Sequence, residues 1–212
     1  MTIAILAVAG YLAGSMPFGY WLVRVAKRVD IRTVGSGNIG ASNVWRTFGR
    51  RYGLPVVLLD MAKGLAPALA ATLVESHLAG VVAGAAAMLG HWRPLFLGFA
   101  KGGKMVATTG GAFLGVAPVV GGIGAGLWIA VFLLTRYASV SSILAAASLP
   151  AVAAGLGEPW PVIAFGGAAA AGVLVLHRAN VRRLLAGTES RFELRRRRRA
   201  TGRAAPSSGR AP

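Results

Sequence analysis

No cysteine occurs among the 212 residues of this chain. That excludes disulfides, thiolate–metal sites and a cysteine nucleophile. Charge is scarce too: charged residues make up 14%, against about 25% in ordinary soluble chains. Carboxylates are scarcest, with six Asp and Glu beside 23 Lys and Arg. Thirteen of the 29 charges lie in residues 178–212, leaving 16 for the first 177. A water-soluble protein so poor in charge would expose large apolar patches and associate. With 55% hydrophobic residues, the chain reads as an integral membrane protein. No charged side chain precedes Arg24, so the basic region of a cleaved signal peptide is missing and residues 3–23 read as a retained first span.

The apolar runs are 3–23, 54–74, 78–90, 105–134, 140–156 and 160–176. A crossing helix needs about 20 residues, so 105–134 is too long for one. Its middle, Gly115–Gly122, holds Pro118 and three glycines, a plausible turn. Outside the runs, every Lys and Arg falls in 24–51, in 91–104, at Arg136 or after 177; the connections 75–77, 115–122 and 157–159 carry none. Positive loops face the cytoplasm, so an even number of crossings must join 91–104 to Arg136. The expected fold is therefore all-α, with seven transmembrane helices, some of them short. The N-terminus is expected outside and the C-terminus in the cytoplasm, with residues 1–190 as the membrane domain. Residues 191–212, centred on the Arg195–Arg199 run, are expected to form a disordered basic tail flanking the membrane. Stacking aromatics of the kind RNA modules use are missing there, so no nucleic acid partner is expected. Gly80–Gly84 and Gly122–Gly126 are GxxxG pairs, which suit close helix packing.

Polar residues gather in three segments on the cytoplasmic side. In the first, Gly35, Gly37 and Gly40 match GxGxxG, but between two spans there is no βαβ unit to make this a dinucleotide site. Such a loop still presents successive N–H groups to phosphate. Ser36, Asn38, Ser42 and Asn43 add polar groups, and Arg46 a bidentate anion fork; the alternative is a tight interhelical turn. The second segment, Lys101-Gly102-Gly103-Lys104, opens a helix, where N–H groups and two ammonium groups would bind an anion. The third carries His177 and Asn180. In the second span Asp60 and Lys63 share a helical face and read as a supporting pair, with His91 bordering the next span.

The acyltransferase spacing Hx₄D fails at all three histidines: Val82, Phe96 and Arg182 stand where its aspartate would be. No serine sits in GxSxG, and no histidine–carboxylate set has metal-ligand spacing.

Together the segments Gly-Ser-Met-Pro-Phe-Gly-Tyr (14–20), GSGNIGASNVWR (35–46), Asp60 with Lys63-Gly64, GHWRPLF…KGGKMVAT (90–108), SVSSI (139–143) and HRANVRRLLAGTES (177–190) resemble the PlsY family, the bacterial glycerol-3-phosphate acyltransferases that use acyl phosphate. The resemblance runs from about residue 10 to 190. Met105 stands where the family usually has glycine, and Ser42 where threonine is usual. The resemblance implies a seven-helix inner-membrane enzyme with its active site at the cytoplasmic face. It would transfer a fatty acyl group from acyl phosphate to the sn-1 hydroxyl of glycerol 3-phosphate, without cofactor or metal. As catalytic candidates it marks His177, Asn180, Lys104 and Ser36. Candidates for substrate binding are Gly35, Gly37, Asn38, Asn43, Arg46, Lys101, Gly102, Gly103 and Ser142. Membrane lipid is the expected surrounding. The rival reading is a transporter or channel for a phosphorylated anion, with the positive loops as its vestibule.

Overall fold

A computed structural model describes residues 1–192, which are all-helical; most of the basic tail lies outside the described residues. Ten α-helices follow in chain order: α1 (Thr2–Gly14), α2 (Phe18–Lys27), α3 (Ala41–Phe48), α4 (Arg50–Val74), α5 (His77–Trp92), α6 (Val106–Val116), α7 (Pro118–Thr135), α8 (Ala138–Gly155), α9 (Trp160–Leu176) and α10 (Arg178–Leu185). By length and composition Thr2–Lys27, α4, α7 and α8 can each cross a membrane, and α9 with α10, bent by 58°, forms a further candidate.

Three expectations need correction. The run 3–23 is not one helix: it breaks at Ser15–Pro17, because proline cannot donate the backbone bond that would continue α1. At this break the Met16 carbonyl accepts from the Phe18 N–H (3.1 Å) and from Lys63 Nζ (2.8 Å). Run 105–134 does split in two, but at Ala117 alone (φ −142°, ψ 82°). Pro118 starts α7 in the first turn, where its missing N–H costs nothing, so α7 reaches 18 residues and 118–122 is helix. Finally, only one GxxxG pair packs helices. A Cβ on Gly80 or Gly84 would meet Thr72 or Ala112, whereas Gly122 and Gly126 have nothing within 4 Å.

Small residues set the core spacing, as expected where lipid replaces water and helices associate by close packing. Gly64 of α4 lies against the Thr108 carbonyl of α6, and Gly111 of α6 against the Met61 carbonyl of α4. The main core, around Met88, Phe113, Leu149 and Phe165, joins α5, α6, α8 and α9. Phe113 and Phe165 stack with centroids 4.7 Å apart. Short α3 and α10 are strongly amphipathic by contrast, and they carry the polar loops.

Candidate active site

The three polar segments converge on the mouth of a single cavity of about 470 Å³. Ser36, Asn38, Arg46, Lys104, His177 and Asn180 line its polar end. Val57, Met61, Phe113, Trp128, Ala146 and Leu149 line an apolar arm that runs inward among α4, α6, α7 and α8.

The first loop is held by Asn43, which is 4% exposed. Its amide donates to the carbonyls of Asn38 (2.9 Å) and Val34 (3.1 Å), and its Oδ1 accepts from the Ser36 N–H (2.9 Å). Asn43, which also lines the cavity, thus gives its amide to the loop's shape. Gly35 and Gly37 take positive φ (59° and 66°), and a Cβ on Gly35 would fall on Asn43 Oδ1; only glycine adopts this freely. Asn38 ties the loop to the second segment, donating to the Gly102 carbonyl at 3.4 Å.

In that second segment the glycine N–H groups that the sequence offers to an anion have backbone partners. Gly102 N–H donates to Trp92 O and Gly103 N–H to His91 O, so both are consumed in docking the loop onto the end of α5. A Cβ on Gly103 would strike the His91 ring. Lys101 is exposed and does not line the cavity. The helix begins one residue later than the glycines imply, at Val106 after Met105 in the left-handed region (φ 66°). Val106 and Ala107, in the unsatisfied first turn of α6, do line the cavity. The Met105 side chain, 6% exposed, points into the core and leaves Lys104 unobstructed.

Lys104 Nζ donates to Asn180 Oδ1, and Asn180 Nδ2 donates to Glu189 Oε1 at 2.7 Å. Glu189 also accepts from Ser139 Oγ (2.8 Å) and Arg183 Nε (2.7 Å), with its side chain 2% exposed. Burial pushes the Glu189 carboxyl up, but hydrogen bonds from Asn180, Arg183 and Ser139 outweigh it and hold the pKa below the usual value. Lys104 is pulled down to about 8 by burial and, after that, by the Arg183 charge. His177 contacts the Val173 carbonyl through Nδ1 at 2.8 Å. That bond sets the tautomer in which Nδ1 carries the proton and Nε2 accepts. Burial and the Lys104 charge bring His177 down to about 4, so its imidazole is neutral.

Arg46 stands apart. None of the ion pairs among the described residues includes it; its guanidinium lies 4.5 Å over the Phe192 ring at the cavity mouth. Ser142 is committed elsewhere, donating to the Ala138 carbonyl (2.6 Å) and accepting from Trp128 (3.1 Å). Asp60, Lys63 and His91 form a buried group behind the loops, with Lys63–Asp60 at 2.7 Å and His91–Asp60 at 3.7 Å.

Sequence reasoning missed Glu189, Arg183, Ser139 and Phe192. Glu189 had a usable signal, being one of six carboxylates and lying in the third polar segment. Phe192 is buried, 7% exposed, against Arg46.

Comparison with known proteins decides the family. A family model described as glycerol-3-phosphate acyltransferase matches residues 4–187. The chain belongs to that family. Among the relatives, the glycerol-3-phosphate acyltransferase of Desulforudis audaxviator is 45% identical, covering 92% of this chain and 98% of its own. That of Geobacter sulfurreducens is 47% identical, covering 89% and 97%. The chain also superposes on crystal structures of PlsY, an integral membrane glycerol 3-phosphate acyltransferase. Its glycerol 3-phosphate form gives a TM-score of 0.87 at 39% identity, covering 91% of this chain and 96% of that one. The lysophosphatidic acid form gives 0.84 at 37%, with the same coverage. The chain is a multi-pass membrane acyltransferase of phospholipid biosynthesis, which sets aside the transporter reading.

Proposed function

We propose that this acyltransferase takes its acyl group from acyl phosphate and delivers it to the sn-1 hydroxyl of glycerol 3-phosphate. The observation that carries the reading is the cavity's two-part character: a cationic mouth at Arg46 and Lys104 continues into a buried apolar arm. One end suits phosphate and the other suits a fatty chain. Arg46, Lys104 and the first-turn N–H groups of α6 hold the two phosphates, with Ser36 and Asn38 beside them. Asn180 positions Lys104, and His177 Nε2 orients the acceptor hydroxyl. That hydroxyl oxygen attacks the acyl carbonyl, the bond from carbonyl carbon to phosphate oxygen breaks, and the hydroxyl proton passes to the departing phosphate. Products are 1-acylglycerol 3-phosphate and inorganic phosphate. A neutral histidine with so low a pKa is a poor base, which favours the phosphate as proton acceptor. The catalysis is positioning with electrostatic stabilisation. No cofactor is called for.

Purified protein should release phosphate from palmitoyl phosphate only when glycerol 3-phosphate is added, while palmitoyl-CoA stays inert. Comparable turnover of the thioester, or an acyl-enzyme trapped with labelled donor alone, would refute this reading.

The membrane arrangement belongs to the same proposal. Seven crossings, by Thr2–Lys27 and α4 to α9, put the N-terminus outside and the site at the cytoplasmic face of the bacterial inner membrane. Short α6 is accommodated because it packs inside the bundle. Cysteine introduced at 101 should escape an impermeant thiol reagent in intact cells, and cysteine at 157 should be labelled. The reverse pattern sinks this topology.

A further inference from the structure

The apolar arm has a floor. Phe113, Gly121, Gly124 and Leu149 line its deep end and all are buried. Beyond them, Val116, Ala117, Val120, Ala153 and Val162 are packed with almost no exposure. Three features make the floor rigid. Phe113 is fixed by its stack on Phe165. The single-residue turn at Ala117 closes α6 against α7. At Gly121 a Cβ would come within 2.6 Å of Leu114 N, so the two helices already touch there.

The depth follows from the lining. Ala138 and Phe132 line the mouth half, Leu149 and Gly121 the floor. Each pair is eleven residues apart on one helix, about 16 Å at 1.5 Å per residue. Partway down, Gly110 leaves a gap: it lines the cavity, and a Cβ there would meet nothing within 4 Å. Near the mouth the arm is open at the side, where Leu54 (49%) and Ile129 (54%) are exposed. Only the deep half is enclosed.

We infer that this floor measures the donor's acyl chain. Phe113 and Leu149 set the depth, and the missing side chain at Gly110 leaves the width the chain needs. The inference rests on the acyl phosphate reading above. A chain that stops short of the floor leaves apolar wall uncovered. Each methylene added in the arm gains packing contacts with its wall, until the floor is met. Past that point the chain must bend back or leave through the side, and the gain stops.

The test uses the full-length protein in lipid vesicles. It is supplied with saturated acyl phosphates from decanoyl to octadecanoyl at saturating glycerol 3-phosphate, singly and in competition. Efficiency in the wild type should climb with chain length and then break. Gly110→Leu puts a strong helix former into open space and is expected to fold. It should move the break to shorter chains, costing hexadecanoyl phosphate about tenfold or more while decanoyl phosphate changes by less than about twofold. Leu149→Ala, checked for folding by its thermal transition, should move the break to longer chains. An unbroken wild-type series, or Gly110→Leu scaling every donor by one factor, overturns the inference. Should the wild type use no acyl phosphate, the donor reading fails by itself; the same series run as acyl-CoA thioesters then decides about the floor by the same shift or its lack.

Discussion

Arg46→Ala and Lys104→Ala should each leave a folded protein that is nearly inactive. Both cations face a cavity mouth with no carboxylate partner of their own among the described residues, since Glu189 is engaged by Ser139, Asn180 and Arg183. A charge-assisted hydrogen bond to a reacting phosphate is worth about 1.5–3 kcal/mol, so each loss should cost roughly 10- to 200-fold in kcat/KM. Arg46→Lys should be almost as poor, because an ammonium cannot reproduce the planar fork. The pH profile adds a second readout. Burial lowers Lys104 to about 8, so the cation that phosphate needs is complete below that pH and is lost above it. For the wild type kcat/KM should fall as pH rises through about 8. A bound dianion stabilises the ammonium, so the limb in kcat should lie higher. Near-normal rates in Lys104→Ala, or a flat profile up to pH 9.5, would remove Lys104 from the scheme. Arg197→Ala, in the basic tail, should behave as wild type.

The second large effect is expected at Glu189, a residue that touches no part of the proposed reaction. Its carboxylate joins α8 through Ser139, α10 through Asn180 and Arg183, and hence Lys104. Replacing it by alanine strips three donors of their acceptor in a buried setting. Leaving the buried Ser139 and Asn180 donors without an acceptor costs about 1–3 kcal/mol each, whereas half-exposed Arg183 is solvated by water. Glu189→Ala should therefore lower the thermal transition markedly and abolish activity. Glu189→Gln keeps an acceptor oxygen but loses the charge opposite Arg183, so it should fall between, with a partly recovered transition. Activity in Glu189→Ala at the wild-type level, with an unshifted transition, would mean that the network does not hold Lys104 in place.

What the amino-acid sequence determined by itself was whatever is written in one dimension. Scarcity of charge and long apolar runs place the chain in a membrane, because burying charge in hydrocarbon is too costly to be common. The confinement of Lys and Arg to alternate connections required an even number of crossings between 91–104 and Arg136, and so a break within 105–134, which the structure has at Ala117. The family resemblance that the ordered motifs carry marked Arg46, Lys104, His177 and Asn180 as site candidates, and all four line one cavity. The remainder needed tertiary structure, since it concerns where each polar group spends its hydrogen bonds. The N–H groups of Gly102 and Gly103 satisfy the open end of α5, a claim on them that no local pattern records. Asn43 is consumed by its own loop, and Ser142 by Ala138 and Trp128. Lys104 meets Asn180 across 76 residues of chain, and Phe192 packs on Arg46. Backbone and side-chain donors compete for a limited set of acceptors, and only the packed helices decide which of them are left facing the cavity.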